Sequence, residues 1–130
     1  MILDTSALVA IYLKEPGWED LVGRIRAPSG IGSPTLVETG IVLSARTGAD
    51  QRAMLTRFLQ EFGISQVPFG EPHWSEAVQA WLRFGKGRHA AGLNLGDCMA
   101  YATARLAGRP LLYVGDDFAR TDVDGSIPDT

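Results

Sequence analysis

The chain has 130 residues, 45% of them apolar and 21% charged, a balance that suits a folded globular domain and excludes a disordered one. Its single cysteine, Cys98, excludes a disulfide framework and a cysteine-built zinc cluster. Twelve Lys and Arg against fifteen Asp and Glu give a net charge of −3, which argues against coating nucleic acid by bulk charge but leaves room for a local binding patch.

Met1-Ile2-Leu3 opens the chain in an apolar run that suits a buried central strand. Asp4-Thr5-Ser6 leads into a helix over Ala7–Leu13, stopped by Pro16-Gly17. A second short helix is expected over Trp18–Arg26, with Trp18, Leu21, Val22 and Ile25 on one face. Pro28-Ser29-Gly30 reads as a turn, and Ser33-Pro34 as the start of a helix that runs to Thr47 and stops at Gly48. Met54, Leu55, Phe58, Leu59 and Phe62 recur at helical spacing in Asp50–Phe62, and a strand follows over Ile64–Phe69.

Glu71–Phe84 reads as a helix with Trp74, Ala77, Val78, Trp81 and Leu82 turned inward. A glycine-rich basic loop, Gly85–Gly92, separates it from a helix capped by Asn94 and closed after Ala107 by Gly108 and Pro110. Leu111–Val114 is a further apolar strand, and the remainder is acidic and turn-like, with a short strand at most. Strands alternating with helices predict an α/β fold with a parallel sheet, whose ligand sites form beyond the carboxyl ends of the strands. No stretch approaches the ~20 apolar residues of a membrane span. The run Ile2–Leu13 holds Asp4 and lacks a basic leader, unlike a signal peptide. The expectation is one cytoplasmic domain over residues 1–130.

Acids stand out by context. Asp4 follows the first strand, Glu38 lies early in the Ser33-Pro34 helix beside Leu36, Val37 and Ile41, and Asp97 lies in the first turn after Asn94. Asp116 and Asp117 follow the last apolar strand. Carboxylates gathered in one pocket repel one another unless a cation neutralises them, and all-oxygen donors suit Mg²⁺ or Mn²⁺. Such an ion suits phosphodiester hydrolysis without a catalytic His, Ser or Cys. Each acid also has a plainer reading: Asp4 as a helix cap, Asp97 as half of a capping box, Glu38 as a surface charge, Asp116-Asp117 as turn residues. Only their joint placement is suggestive. Arg83, Lys86 and Arg88 give a basic stretch with no acid between Glu76 and Asp97, so Lys86 and Arg88 are candidates for holding phosphates near the metal, against a solvated loop.

Together these residues resemble the PIN-domain nucleases, and within them the VapC toxins of VapBC toxin–antitoxin pairs. The resemblance rests on Met1-Ile2-Leu3-Asp4-Thr5-Ser6-Ala7-Leu8, Gly85-Lys86-Gly87-Arg88-His89, Gly92-Leu93-Asn94-Leu95-Gly96-Asp97-Cys98 and Pro110-Leu111-Leu112-Tyr113-Val114-Gly115-Asp116-Asp117-Phe118, and covers the chain from Met1 to about Asp122. It implies a three-layer α/β/α sandwich with a mainly parallel sheet and a Mg²⁺-dependent endoribonuclease that acts on structured RNA, tRNA or rRNA. It also implies a homodimer and a VapB-like antitoxin. Asp4, Glu38 and Asp97 then fall on metal-site acids, with Ser6 and Asn94 as polar residues around them. The family's usual fourth acid falls here on Gly115. Asp116 is favoured in its place over Asp117, because adjacent residues of an extended segment point to opposite sides and Gly115 lets the backbone bend. Asp122 is a weaker candidate. Two other readings remain: a housekeeping PIN nuclease for RNA processing, and a non-enzymatic α/β module that binds a metal structurally. A haloacid-dehalogenase phosphatase needs a second Asp where this chain has Ser6.

Overall fold

The computed structural model describes residues 1–123 and 125. In chain order its elements are β1 (Ile2–Leu3), α1 (Thr5–Tyr12), α2 (Trp18–Arg24), β2 (Ser29–Gly32), α3 (Ser33–Thr47), α4 (Arg52–Glu61), β3 (Ile64–Val67), α5 (Glu71–Phe84), α6 (Leu95–Ala107) and β4 (Leu111–Leu112), followed by a short 3₁₀ turn at Phe118–Arg120. The strands form one sheet in the order β3-β2-β1-β4, with every pairing parallel. β1 is therefore central, and Ile2 and Leu3 are fully buried.

Side-chain alternation along the strands divides the core between the two faces of the sheet. Leu3 and Leu112 join Leu8, Ile11, Leu21, Leu43 and Leu55 on the side of α1 to α4. Ile2 and Leu111 join Ala80, Phe84, Leu93, Cys98 and Tyr101 on the side of α5 and α6. This is the expected three-layer α/β/α sandwich, and among the described strands the sheet is wholly parallel.

The structure corrects the sequence reading in several places. The stretch read as a turn, Ser29-Gly30, belongs to β2, whose four residues are all buried. A Cβ on Gly30 would lie 2.8 Å from a Val67 methyl, and one on Gly32 would lie 2.7 Å from the Thr103 hydroxyl. The glycines that mimic a turn are there because neighbouring elements pack directly on the backbone. Gly32, not Ser33, occupies the cap position of α3, and the Ser33 hydroxyl donates instead to the Val67 carbonyl at 3.1 Å. β4 stops at Leu112, and Val114 is exposed.

On α5 the inward residues are Ala77, Ala80 and Phe84; Trp74, Val78, Trp81 and Leu82 face outward. Small residues on the inner stripe let α5 lie close against α6, and its bulky residues stand on the far side. Val37 and Ile41 beside Glu38 are likewise exposed, on a groove of about 790 Å³ between α3 and α4 that is also lined by Leu36, Leu55 and Leu59. The acidic tail contributes the 3₁₀ turn and an isolated parallel bridge between Leu111 and Gly125; the short strand expected at its end otherwise lies outside the described residues.

Candidate active site

Asp4 and Asp97 are positioned by the starts of helices, and Glu38 by the second turn of α3, rather than by long strands. Asp4 sits directly after β1 and is the N-cap of α1. Its Oδ2 accepts from the Ser6 amide at 3.1 Å and from the Ser6 hydroxyl at 2.6 Å. Its own amide donates to the Leu112 carbonyl at 3.0 Å, which ties it to the end of β4. Asp4 is 5% exposed, so a carboxyl group stands buried at the end of the central strand.

Glu38 projects from α3 towards α1. Its Oε1 accepts from the Thr5 hydroxyl at 2.7 Å. The Thr39 hydroxyl, fully buried, donates to the Thr35 carbonyl at 2.8 Å and lies 3.2 Å from the Thr5 hydroxyl. Thr5 holds Glu38 through a contact across 33 residues that local sequence does not signal.

Asp97 occupies the first turn of α6. The Asn94 side chain accepts from the Asp97 amide at 2.9 Å, and Asp97 Oδ2 accepts from the Asn94 amide at 3.1 Å. The capping box expected from sequence is thus present. It does not exhaust the carboxylate, because the other oxygen of Asp97 makes no side-chain hydrogen bond among the described residues. The same holds for Glu38 Oε2 and Asp4 Oδ1. Each of the three acids spends one oxygen on local structure and keeps one in reserve.

Their charges reach one another. Burial, with the Glu38 charge added, raises the Asp4 carboxyl above its ordinary value against the opposing Ser6 bonds. Burial and the charges of Asp4, Asp117 and Glu38 push the Asp97 carboxyl up to about 6, against the opposing Asn94 amide. Residues 4, 38, 97 and 117 therefore share one electrostatic neighbourhood. The sequence favoured Asp116, yet it is the charge of Asp117 that bears on Asp97. Ser6 links this segment to the site: its hydroxyl donates to Asp4 and accepts from the Val114 amide at 3.0 Å.

The donor set is wholly carboxylate and hydroxyl oxygen, which fits a hard divalent cation. The raised carboxyls supply the uncompensated negative charge that such a cation would relieve. As the side chains stand, no three His, Cys, Asp or Glu among the described residues are close enough together to ligate one ion. The acids are poised on their caps with free oxygens, and a cation would have to draw them inward.

Other candidates lie apart from this cluster. Arg88 stacks over the Trp81 ring at 4.9 Å, and its Nε donates to the Leu82 carbonyl at 3.3 Å. Lys86 is exposed, and neither cation is among the groups that shift Asp97. Asp122 accepts from the buried Tyr101 hydroxyl and pairs with Arg83 at 3.0 Å and Arg105 at 3.6 Å. It is a clasp between the tail and the α5–α6 layer. Burial pushes the Cys98 thiol up to about 11, with the Asp97 charge adding, so it is no nucleophile near neutral pH.

A parallel sheet with acids gathered beyond its carboxyl end defines a class, and the PIN-domain family model matches residues 1–124. The chain belongs to the PIN-domain family and is a nuclease. Within it, the chain is 45% identical over 127 residues to ribonuclease VapC36 of Mycobacterium tuberculosis, covering 95% of this chain and 91% of that one. It is 40% identical over 125 residues to a ribonuclease VapC of Mycolicibacterium smegmatis, covering 95% and 97%. It belongs, more narrowly, to the VapC ribonucleases. Among solved structures, VapC20 of Mycobacterium tuberculosis, described as a sarcin–ricin-loop-cleaving toxin, superposes with a TM-score of 0.73 at 16% identity over 98% of each chain. A toxin–antitoxin complex from Klebsiella pneumoniae gives 0.70 at 19% identity, over 93% of this chain and 92% of that one. PIN-domain ribonucleases depend in general on divalent metal, and no helix among the described residues is long and apolar enough to cross a membrane.

Proposed function

We propose that this protein is the toxin of a toxin–antitoxin pair, an endoribonuclease that cuts structured RNA, tRNA or rRNA, and so inhibits translation. One observation carries the reading of the site: Asp4, Glu38 and Asp97, from distant parts of the chain, share one electrostatic neighbourhood in which burial and like charge raise the Asp4 and Asp97 carboxyls. Asp4, Glu38, Asp97 and Asp117 would hold Mg²⁺, with Mn²⁺ as a substitute; Asp117 takes the place first given to Asp116. A divalent cation supplies a Lewis acid to the phosphodiester and its attacking water.

The chain's own residues orient the site. Ser6 fixes Asp4 against the strand end, Thr5 fixes Glu38, and Asn94 fixes the first turn that carries Asp97. A free carboxylate oxygen of the cluster would accept the proton of the attacking water. Lys86 and Arg88 are proposed as contacts to RNA phosphates flanking the scissile bond. A VapB-like antitoxin partner is supported by the VapC relatives and by the Klebsiella complex. A homodimer belongs to the same reading, and the outward Trp74, Val78 and Trp81 of α5 are a surface available for it.

The test uses purified protein with tRNA and rRNA. Cleavage is expected with Mg²⁺ or Mn²⁺, and none is expected in chelator or from Asp97→Asn with Mg²⁺. Cleavage that survives both the chelator and the substitution would overturn the metal-site reading. RNA cleavage without growth arrest on expression would favour a housekeeping nuclease over a toxin.

A further inference from the structure

Gly96 lies in the first turn of α6, between the exposed Leu95 and Asp97. A Cβ placed on it would sit 2.6 Å from Glu38 Oε2, 2.9 Å from Oε1 and 3.0 Å from the carboxyl carbon. The three nearest heavy atoms all belong to Glu38. Glycine is a poor helix residue, and nothing about the backbone here calls for one, since Gly96 is not among the positive-φ glycines. The bare Cα instead opens the space in which the Glu38 carboxylate stands against α6, one residue from Asp97.

We propose that Gly96 is a positioning residue for the metal site: by lacking a side chain it lets Glu38 approach Asp97, and any larger residue displaces the Glu38 carboxylate from the cation. The inference rests on the reading of Glu38 as a metal-site acid. Its physical basis is the direction in which strain is released. The Cβ of an alanine would meet the far end of a flexible side chain rather than the fixed backbone, so the fold is spared and Glu38 moves. Oε1 would leave Thr5, and Oε2 would leave the α6 first turn.

This predicts a separation of stability from function that a merely structural glycine does not give. Alanine is the better helix former, so Gly96→Ala should leave the thermal midpoint in chelator unchanged or slightly raised. Mn²⁺ affinity, read by electron paramagnetic resonance titration without RNA, should fall about 10-fold to 100-fold, the range for losing an orienting partner of a metal ligand. The conservative rescue is Glu38→Asp, which withdraws the carboxylate by one methylene, ~1.5 Å. Alone it should weaken Mn²⁺ binding; combined with Gly96→Ala it should bind Mn²⁺ more tightly than Gly96→Ala does.

Glu38→Gln separates the two levels of the argument. Loss of Mn²⁺ affinity in Glu38→Gln together with full affinity in Gly96→Ala would overturn the role of Gly96 and leave the metal site standing. Full affinity in both would remove Glu38 from the site and the inference with it. Additive losses from Glu38→Asp and Gly96→Ala, or a clear fall in the midpoint of Gly96→Ala, would make the glycine structural and overturn the proposal.

Discussion

Two aspartates on the same helix layer have opposite fates. Asp97 stands among Asp4, Glu38 and Asp117, and burial with these like charges lifts its carboxyl to about 6. Asp122 stands among Arg83, Arg105 and Tyr101; burial alone would lift it, but the Tyr101 and Arg83 hydrogen bonds and the two guanidinium charges outweigh that and hold it below its ordinary value. The clasp around Asp122 is complete in itself. The cluster around Asp97 is not: no cation among the described residues is among the groups that act on its carboxyl. An acid matched by the protein's own cations holds the fold together. An acid set against other acids is, on the proposed reading, the one that meets a ligand.

The comparison is broken most directly by removing charge from each side. Asp4→Asn and Asp97→Asn should each reduce RNA cleavage to background while circular dichroism stays unchanged, because an amide oxygen still accepts the capping bonds. Wild-type turnover by Asp97→Asn would end the distinction. The next effect sharpens the site's membership: Asp117→Ala should weaken Mn²⁺ binding about tenfold, the lower end of what disturbed metal shells show, and Asp116→Ala should weaken it less. Calorimetric titration that reverses this order would return the fourth position to Asp116.

On the other side, Asp122→Ala should leave the metal site intact and cost about 1–3 kcal/mol of stability, since the buried Tyr101 hydroxyl loses its acceptor. Chemical denaturation measures it, and cleavage by the folded variant at saturating RNA should stay close to wild type.

The pH dependence follows from the raised Asp97. Between the ordinary carboxylate value and about 6, the folded protein keeps a proton that the unfolded chain releases. Stability from this group is therefore present at low pH and is lost as pH rises through about 6. In chelator the thermal midpoint should fall between about pH 4.5 and about pH 7.5, less steeply in Asp97→Asn, and Mg²⁺ should restore it at the higher pH. An equal slope in the two proteins would detach Asp97 from the crowding. The smallest effect belongs to the basic loop: Lys86→Ala with Arg88→Ala should flatten the salt dependence of RNA affinity by about 1.4 in slope, at ~0.7 per phosphate contact on a single strand. An unchanged slope would leave both residues as solvated surface.

What was legible in the sequence followed local rules. Apolar runs gave β1 and β4, helical spacing gave all six helices, and Asn94 with Asp97 gave the capping box. Strand β2 was hidden because Ser-Gly-Ile-Gly carries turn residues for a reason that is not local: Val67 and Thr103 pack onto its glycines. The outward face of α5 was hidden because its large apolar residues outnumber the alanines that touch α6. At the site, Asp4 and Asp97 were readable from their positions at element starts, and Glu38 from its place among apolar neighbours in α3. The hold of Thr5 on Glu38, the space at Gly96 and the bearing of Asp117 on Asp97 were not, because each is a contact between residues far apart in the chain.

The backbone bond from Asp4 to Leu112 has a consequence for how such a nuclease can be silenced. Asp4 follows two residues with no exposed surface, in a strand paired on both sides, so its amide belongs to the slowest-exchanging part of the molecule. The side chain can turn towards an ion, but displacing the Asp4 backbone means opening the core. An inhibitor therefore has little to gain by melting this corner. It has to fill the mouth of the site, draw off the ion, or act on the exposed segment after β4 that carries Asp117.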